Sequence, residues 1–323
     1  MIYTGIYDAT LTYDETQEAR LSKGQLPSQL NAQMAAHTHV SEEVITIPGY
    51  PHPLHAGKQR GTVIVIPGGG YSWLSPREAD PIVHAFNAYG FRALVFRYDC
   101  ESEILGLRPL KQAAWAIAKT RQLFPAEPVY LCGFSAGAHV AASIAIHFDD
   151  TDWNGDPLFT EVLDFLGEAA DPATLFRPDA LIVSYPVISA GEYRHAGSFE
   201  RLLGKREDFI AKYGDDTDYE RARRWFSLET QVHASTPKTF VWQTVTDQSV
   251  PVQNSLLLVN ALVEHGIPVE YHLYPKGPHG LSLATEEVAE TSKNRVTDLH
   301  VADWFERAID WLLYTEDGHS VDA

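Results

Sequence analysis

Residues 128–146 read PVYLCGFSAGAHVAASIAI. The first five, Pro128 to Cys132, form a short apolar run of the kind that makes a buried strand, and Ala138 to Ile146 form an apolar helix rich in small residues. Between them stands Gly133-Phe134-Ser135-Ala136-Gly137. A strand, a G-x-S-x-G turn and a helix in immediate succession describe a sharp elbow that lifts a serine hydroxyl off the end of a sheet. The crowded backbone of such a turn needs the missing Cβ of glycine on its flanks. Ala136 then offers its N–H at a helix start, where the dipole favours a developing negative charge. At about 7% Gly the bare pentapeptide recurs by chance in roughly one chain in ten of this length, so its partners carry the weight.

Upstream, Gly61 to Ile66 is a continuous apolar run, the mark of a strand covered on both faces. It ends in Pro67-Gly68-Gly69-Gly70-Tyr71. Successive glycines after a buried strand let the backbone approach a ligand and aim N–H groups at it, so Gly69 or Gly70 would supply a donor beside Ala136. A phosphate-binding loop is the competing reading and is discounted, because neither G-x-G-x-x-G nor G-x-x-x-x-G-K-[ST] is present there. Ser75-Pro76-Arg77-Glu78 has the form of a capping box, which assigns Glu78 to a helix cap. Pro81 then implies either a kink or a second start with Asp80 as its cap. The helix ends at Gly90 and a strand follows from Arg92 to Tyr98, with Asp99 just behind it. Leu110, Ala113, Ala114 and Ile117 recur at helical spacing. Strand and helix thus alternate up to Ser135, which predicts a mostly parallel, doubly wound sheet with helices on both faces.

Downstream come an acidic stretch from Asp149 to Pro157 and a core strand from Ala180 to Pro186. Residues 189–236 hold more helical fragments than one α/β unit needs, and are expected to be a helical insertion or lid, either over the strand ends or on the side of the sheet. The remaining elements are a strand from Thr239 to Thr246, a helix from Val252 to His265, a strand from Val269 to Tyr274 and a last helix bearing Trp304, Phe305 and Leu312. Asp247 follows the first of these strands, and Pro278-His279-Gly280 follows the second. Ser135, Asp247 and His279 therefore each lie just past the C-terminal end of a predicted strand. The chemistry of a serine nucleophile needs these types: a base near neutral pH to take the hydroxyl proton, and a carboxylate to fix the imidazole tautomer and stabilise its charged form.

Length and composition set the bounds. The 323 residues suffice for a single α/β domain with an insertion, preceded by an N-terminal extension over residues 1–45. Within that first region Val44 to Ile47 alternates like a strand, and His52 and His55 read as loop residues without metal-ligand spacing. A net charge of −18 argues against nucleic acid or an anionic membrane as partner. Two cysteines, Cys100 and Cys132, make no disulfide framework. No basic region followed by an apolar run opens the chain and no stretch approaches a membrane span, so a soluble cytoplasmic protein without metal or other cofactor is expected. The sequence leaves monomer and homo-oligomer both open.

The motifs PGGGY, GFSAGAH, TDQSVPVQNS and PHGLSLA, at residues 67–71, 133–139, 246–255 and 278–284, together resemble the bacterial acetyl-esterase and acetylxylan-esterase-like branch of the α/β hydrolases. The resemblance runs from about Gly61 to the C-terminus and is weakest through 150–235. It implies Ser135 as nucleophile, His279 as base, Asp247 as acid, and oxyanion donors from Ala136 with Gly69 or Gly70. The implied substrate is a short acyl ester, with acetyl groups on xylo-oligosaccharides as the leading case. Related hormone-sensitive-lipase-like esterases carry His where Pro67 stands, and an acidic residue often stands where Thr246 precedes Asp247. Tyr71, Trp73 and Phe134 flank the expected site, either as walls of an acyl or sugar pocket or as core. An exopeptidase of the prolyl-oligopeptidase kind shares the same chain order, and a non-catalytic ligand-binding fold is the rival from another class.

Overall fold

The computed structural model describes residues 60–153, 156–166, 171–213 and 216–316. The expected extension 1–45, the strand expected at Val44 to Ile47 and the histidines His52 and His55 lie outside the described residues.

Six strands form one sheet: β1 (Thr62–Ile66), β2 (Arg92–Val95), β3 (Val129–Phe134), β4 (Ala180–Ser184), β5 (Thr239–Thr244) and β6 (Val269–Tyr274). Their spatial order is β2-β1-β3-β4-β5-β6, and every pairing within this sheet is parallel. The inner strands β1, β3, β4 and β5 are buried along their whole length. A strand covered on both faces has no polar side to alternate with, which is why these segments read as unbroken apolar runs. At the edge, β6 is largely half-exposed and tolerates Glu270 and His272.

Long helices connect the strands: α1 (Asp80–Ala88), α2 (Arg108–Leu123), α3 (Ala136–His147), α4 (Ala196–Leu203), α5 (Arg206–Tyr213), α6 (Asp216–Trp225), α7 (Gln253–Glu264) and α8 (Trp304–Glu316). Strand alternation sorts the core into two. Ile64, Ile66, Leu131, Leu181 and Val241 pack with α2, α3 and α7 on one face. Val63, Val65, Cys132, Ile182 and Trp242 pack with α1 and α8 on the other. The period of two along a strand is what assigns neighbours in sequence to opposite layers. Among the described residues no helix is long and apolar enough to cross a membrane.

The expected capping box is not formed. Pro76–Glu78 is a single 3-10 turn without a side-chain cap, and α1 starts afresh at Asp80 with Ala79, not Asp80, in the capping position. Glu78 is instead turned inward and buried.

Two features of this topology matter for the site. All the strands of the sheet are parallel, so every loop after a strand emerges on one edge. From β1 the chain runs outward to β2 and then crosses back to β3 on the other side of β1. The strand order reverses there, and the loops after β1 and β3 diverge to leave a crevice. Within 189–236, α4 lies beside this edge. Arg201 donates to the carbonyls of Cys100 and Ser102 at 2.7 and 2.8 Å and to that of Tyr71 at 3.3 Å, tying α4 to the loops after β1 and β2.

Candidate active site

Ser135 sits between β3 and α3 with φ 52° and ψ −116°, a conformation that a non-glycine residue adopts only when its surroundings enforce it. The enforcement is visible at Gly137. A Cβ there would stand 2.2 Å from the Ile66 carbonyl oxygen and 2.3 Å from that of Pro67. Only glycine lets the first turn of α3 press against the end of β1. The amide of Ser135 donates to the Ser184 carbonyl at 3.0 Å, so the turn is also anchored to β4.

The structure brings the three polar residues together. Ser135 Oγ lies 2.8 Å from His279 Nε2, and His279 Nδ1 lies 2.6 Å from Asp247 Oδ2. An ionised carboxylate can only accept, so Nδ1 carries the proton and Nε2 is free to accept from the serine hydroxyl. The other oxygen of Asp247 accepts the N–H groups of Ser249 and Val250 at 2.9 and 3.0 Å, and its side chain is wholly buried. The His279 loop is fixed from behind. Arg295 Nε donates to the His279 carbonyl at 2.8 Å, and Arg77 Nη1 donates to that of Gly280 at 2.7 Å. The Tyr185 ring stands edge-on to the imidazole, with centroids 5.0 Å apart.

Gly69 and Gly70 turn the loop after β1 with φ 138° and 63°. The Gly69 carbonyl accepts from Ser72 N–H at 3.1 Å and that of Gly68 from Ser75 N–H at 2.9 Å, so the loop is closed on itself. No protein acceptor among the described residues takes the N–H of Gly69 or Gly70. Ala136, as the first residue of α3, likewise has no intrahelical acceptor for its N–H. Gly69, Gly70, Ser135, His279 and His195 line one cavity of about 210 Å³. A larger, mainly polar cavity of about 730 Å³ adjoins it and shares Ser249, His279 and Arg295 with it.

The three flanking aromatics separate. Trp73 is 47% exposed at the cavity rim, with Lys293 Nζ 5.8 Å from its ring centroid. Tyr71 and Phe134 are buried core residues. A left-handed φ of 62° turns Tyr71 inward, where its hydroxyl meets His139. Asp99, the other acid behind a strand, is bound to Arg108 at 2.6 Å and to Ser102 at 2.7 Å. Burial is the largest single influence on the pKa of its carboxyl and raises it, but these bonds together with the Glu101 and Ser102 N–H groups outweigh it and hold the carboxyl below the ordinary range.

Two further residues of the cavity do not read as site residues in the sequence. His195 caps α4, its Nδ1 accepting the Ser198 N–H at 3.3 Å and lying 2.8 Å from the Ser198 hydroxyl, which can donate to the same nitrogen. The neutral ring therefore carries its proton on Nε2, for which no hydrogen-bond partner exists among the described residues. Burial, and then the neighbouring His279 imidazole, lower the pKa of His195, which favours this neutral form. Glu78 is the other, and it is the one carboxylate among the residues lining the smaller cavity.

Comparison with known proteins agrees with this architecture. Residues 179–310, which include Asp247 and His279 but not Ser135, match the prolyl oligopeptidase family. Over 237 residues, 71% of this chain, the protein is 38% identical to endo-1,4-beta-xylanase B of Butyrivibrio fibrisolvens. The chain spans about a third, 34%, of the length of that curated relative. Among solved structures, an acetyl ester-xyloside bifunctional hydrolase from Caldicellulosiruptor lactoaceticus superposes with a TM-score of 0.63 at 30% identity, over 85% of this chain and 93% of the other. A carboxylesterase from Lactobacillus plantarum superposes with a TM-score of 0.62 at 25% identity, over 82% and 89%. With its parallel sheet, its serine elbow at the switch point and these relatives, the chain belongs to the α/β-hydrolase superfamily.

Proposed function

We propose that the protein is a serine carboxylic-ester hydrolase acting on short acyl esters, acetyl above all, carried by xylo-oligosaccharides or similar carbohydrates. The observation that carries this reading is the continuous hydrogen-bonded chain Ser135, His279, Asp247 opening into a cavity where Gly69 and Gly70 keep unused N–H groups. His279 takes the Ser135 proton as Oγ attacks the ester carbonyl. The carbonyl oxygen becomes an oxyanion, stabilised by the N–H groups of Ala136 and of Gly69 or Gly70; each such donor is worth about 3 kcal/mol. The C–O bond to the alcohol then breaks and His279 Nε2 protonates the leaving oxygen. Water, deprotonated by the same imidazole, hydrolyses the acyl-enzyme and restores Ser135. Asp247 keeps Nδ1 protonated throughout and stabilises the imidazolium.

The two cavities divide the substrate. The smaller, about 210 Å³, suits a short acyl group beside Ser135, with the exposed Trp73 ring and His195, which also line it, left to face the first sugar of the alcohol. The larger, about 730 Å³ and polar, adjoins it through Ser249, His279 and Arg295 and suits the rest of a hydrated sugar alcohol. The relatives named for acetyl-ester and carboxylester hydrolysis support this reading. Glycoside cleavage is less well served, since it uses a pair of carboxylates and the ester cavity is lined by one, Glu78, with both oxygens engaged. The same feature weighs against an exopeptidase, which needs a free carboxylate for the substrate ammonium.

A panel of p-nitrophenyl esters from acetate to octanoate, with acetylated xylo-oligosaccharides and an amino-acyl anilide alongside, tests the proposal. Turnover should be greatest for acetate, fall steeply with chain length and release acetate from the oligosaccharide. Faster cleavage of the anilide, or no ester turnover at all, overturns it.

A further inference from the structure

Glu78 lines the small cavity beside Ser135, is 4% exposed and has no part in the mechanism above. A buried carboxylate is costly unless donors serve it. Here one donor belongs to the oxyanion loop, and the other, Tyr185 after β4, is bonded in turn to the loop that carries His279. Oε2 accepts the Gly68 N–H at 2.8 Å, and Oε1 accepts the Tyr185 hydroxyl at 2.7 Å. The Tyr185 oxygen in turn accepts the Ser282 N–H at 3.1 Å, three residues beyond His279, while its ring packs edge-on against the imidazole. Tyr185 itself has a left-handed φ of 38°, a strained conformation, and its N–H is bonded to the Trp242 carbonyl at 2.7 Å. On the other side the contacts are equally close. A Cβ on Gly68 would stand 2.8 Å from Glu78 Oε2 and 2.9 Å from Ser135 Cβ. The Gly68 carbonyl is held by Ser75, so both polar groups of this residue are engaged immediately before the Gly69 and Gly70 amides.

We propose that Glu78 is a positioning residue of the ester-hydrolysing site, holding the oxyanion loop through Gly68 and the His279 loop through Tyr185 at one fixed separation. The proposal rests on the serine-hydrolase reading given above. Both neighbours are donors, so an ionised carboxylate satisfies both at once. An amide of the same shape must point its NH2 at one of them. It then either loses the Gly68 bond or forces the Tyr185 hydroxyl to reverse. Either change lets the donors drift relative to the imidazole, and a displacement of about 1 Å in such a site costs about 100-fold in rate.

The test uses Glu78→Gln, Tyr185→Phe and the double variant in the full chain. Three quantities are read: kcat and KM for p-nitrophenyl acetate, the rate of Ser135 labelling by a fluorophosphonate, and the thermal midpoint. In Glu78→Gln, kcat and the labelling rate should fall together by about 10- to 100-fold, with KM within about threefold of the wild type. Tyr185→Phe should fall in the same direction, and the double variant should lose little beyond the worse single one, because both act on one linkage. A folded Glu78→Gln protein that keeps both rates within twofold of the wild type overturns the proposal, whatever its thermal midpoint. Should Glu78→Gln not fold, Tyr185→Phe, which leaves the carboxylate and its Gly68 bond in place, decides by the same criterion. Failure of the parent reading looks different: a folded wild type that neither turns over acetate nor takes the label removes the serine-hydrolase function and this proposal together.

Discussion

The Tyr71 hydroxyl donates to Nδ1 of His139 across 2.7 Å, joining the glycine loop after β1 to the helix that follows Ser135. The opposite ring nitrogen donates to the Phe226 carbonyl at 2.9 Å, so a neutral imidazole uses both nitrogens. The ring is wholly buried and packs edge-on against Phe199. Burial foremost, opposed by the Phe226 bond and aided by the charge on His147, lowers its pKa from 6.5 to about 4.

That shift makes a stability prediction with a definite sign. Between pH 6.5 and about 4 the unfolded chain binds a proton at His139 that the folded chain does not, so stability falls as pH falls. The contribution is complete above pH 6.5, is lost progressively down to pH 4 and changes no further below. A shift of this size corresponds to about 3 kcal/mol. His139→Gln can keep both hydrogen bonds without titrating. Urea unfolding at several pH values should show the wild type losing up to about 3 kcal/mol more than the variant over that window. Equal pH slopes for the two proteins would contradict the assignment.

How much of the site was legible follows from where its determinants lie. Ser135 and Asp247 stand just past apolar runs and His279 in the loop after the half-exposed edge strand β6, and in a parallel sheet the residues after a strand are on the edge where ligands bind. Three local patterns therefore sufficed to bring together residues 32 to 144 positions apart. Glu78 was misassigned because Ser-x-x-Glu before an apolar run is a sound local pattern for a cap. The partner that outweighs it, Tyr185, is 107 residues away. Tyr71 and Phe134 adjoin the motif in sequence, yet a left-handed turn at Tyr71 and the strand alternation at Phe134 direct both rings into the core. His195 belongs to the irregular stretch before α4, where no periodicity says which way a side chain points.

Ser135→Ala should abolish ester hydrolysis without unfolding the chain. The hydroxyl is the reacting group, while the turn is secured by backbone bonds and by Gly137. Loss of the nucleophile costs on the order of 10⁶ in kcat in a comparable enzyme. Substantial residual turnover of p-nitrophenyl acetate by a clean preparation would move the nucleophile elsewhere.

The two candidate oxyanion glycines should respond unequally. A Cβ on Gly69 would stand 1.9 Å from the Trp73 carbonyl oxygen, so the loop must shift. At Gly70 the nearest atom is His195 Cε1 at 3.7 Å, and only the left-handed φ is unfavourable, at about 1–2 kcal/mol. Gly69→Ala should lower kcat by about 100- to 1000-fold, as the loss of a donor does, and Gly70→Ala far less. Kinetics on acetate esters separates the two, and an unchanged kcat in Gly69→Ala would make the loop a mere connection.

His195 should matter for the sugar more than for the ester bond. His195→Asn retains a side-chain oxygen to cap α4 but withdraws the Nε2–H donor from the cavity. One neutral hydrogen bond is worth about 1 kcal/mol, so kcat/KM for an acetylated xylo-oligosaccharide should fall about 5- to 10-fold. The value for p-nitrophenyl acetate, whose leaving group has no sugar hydroxyls, should hardly change. A parallel fall in both would assign His195 to the reaction itself.

The last prediction separates Asp247 from Asp99, since each carboxylate follows a strand of the same sheet. Asp247→Asn keeps the volume but offers Nδ1 of His279 a neutral partner that can present a donor. The imidazole is then held in the wrong tautomer for part of the time, and its charged form loses its counter-ion. Asn Oδ1 can still accept from Ser249 and Val250, so the turn that carries the residue should survive. The expected result is a fall in kcat of up to about 10⁴ at neutral pH with a smaller change in KM, because the lost interaction strengthens in the transition state. Asp99 answers to different partners: Arg108 at the start of α2, and Ser102 and the Glu101 N–H in its own loop. Asp99→Asn should weaken that ion pair and lower the thermal midpoint, leaving kcat close to the wild type. A crippled Asp99→Asn beside a nearly silent Asp247→Asn would show that the 2.6 Å contact between Asp247 and His279 does not serve the reaction.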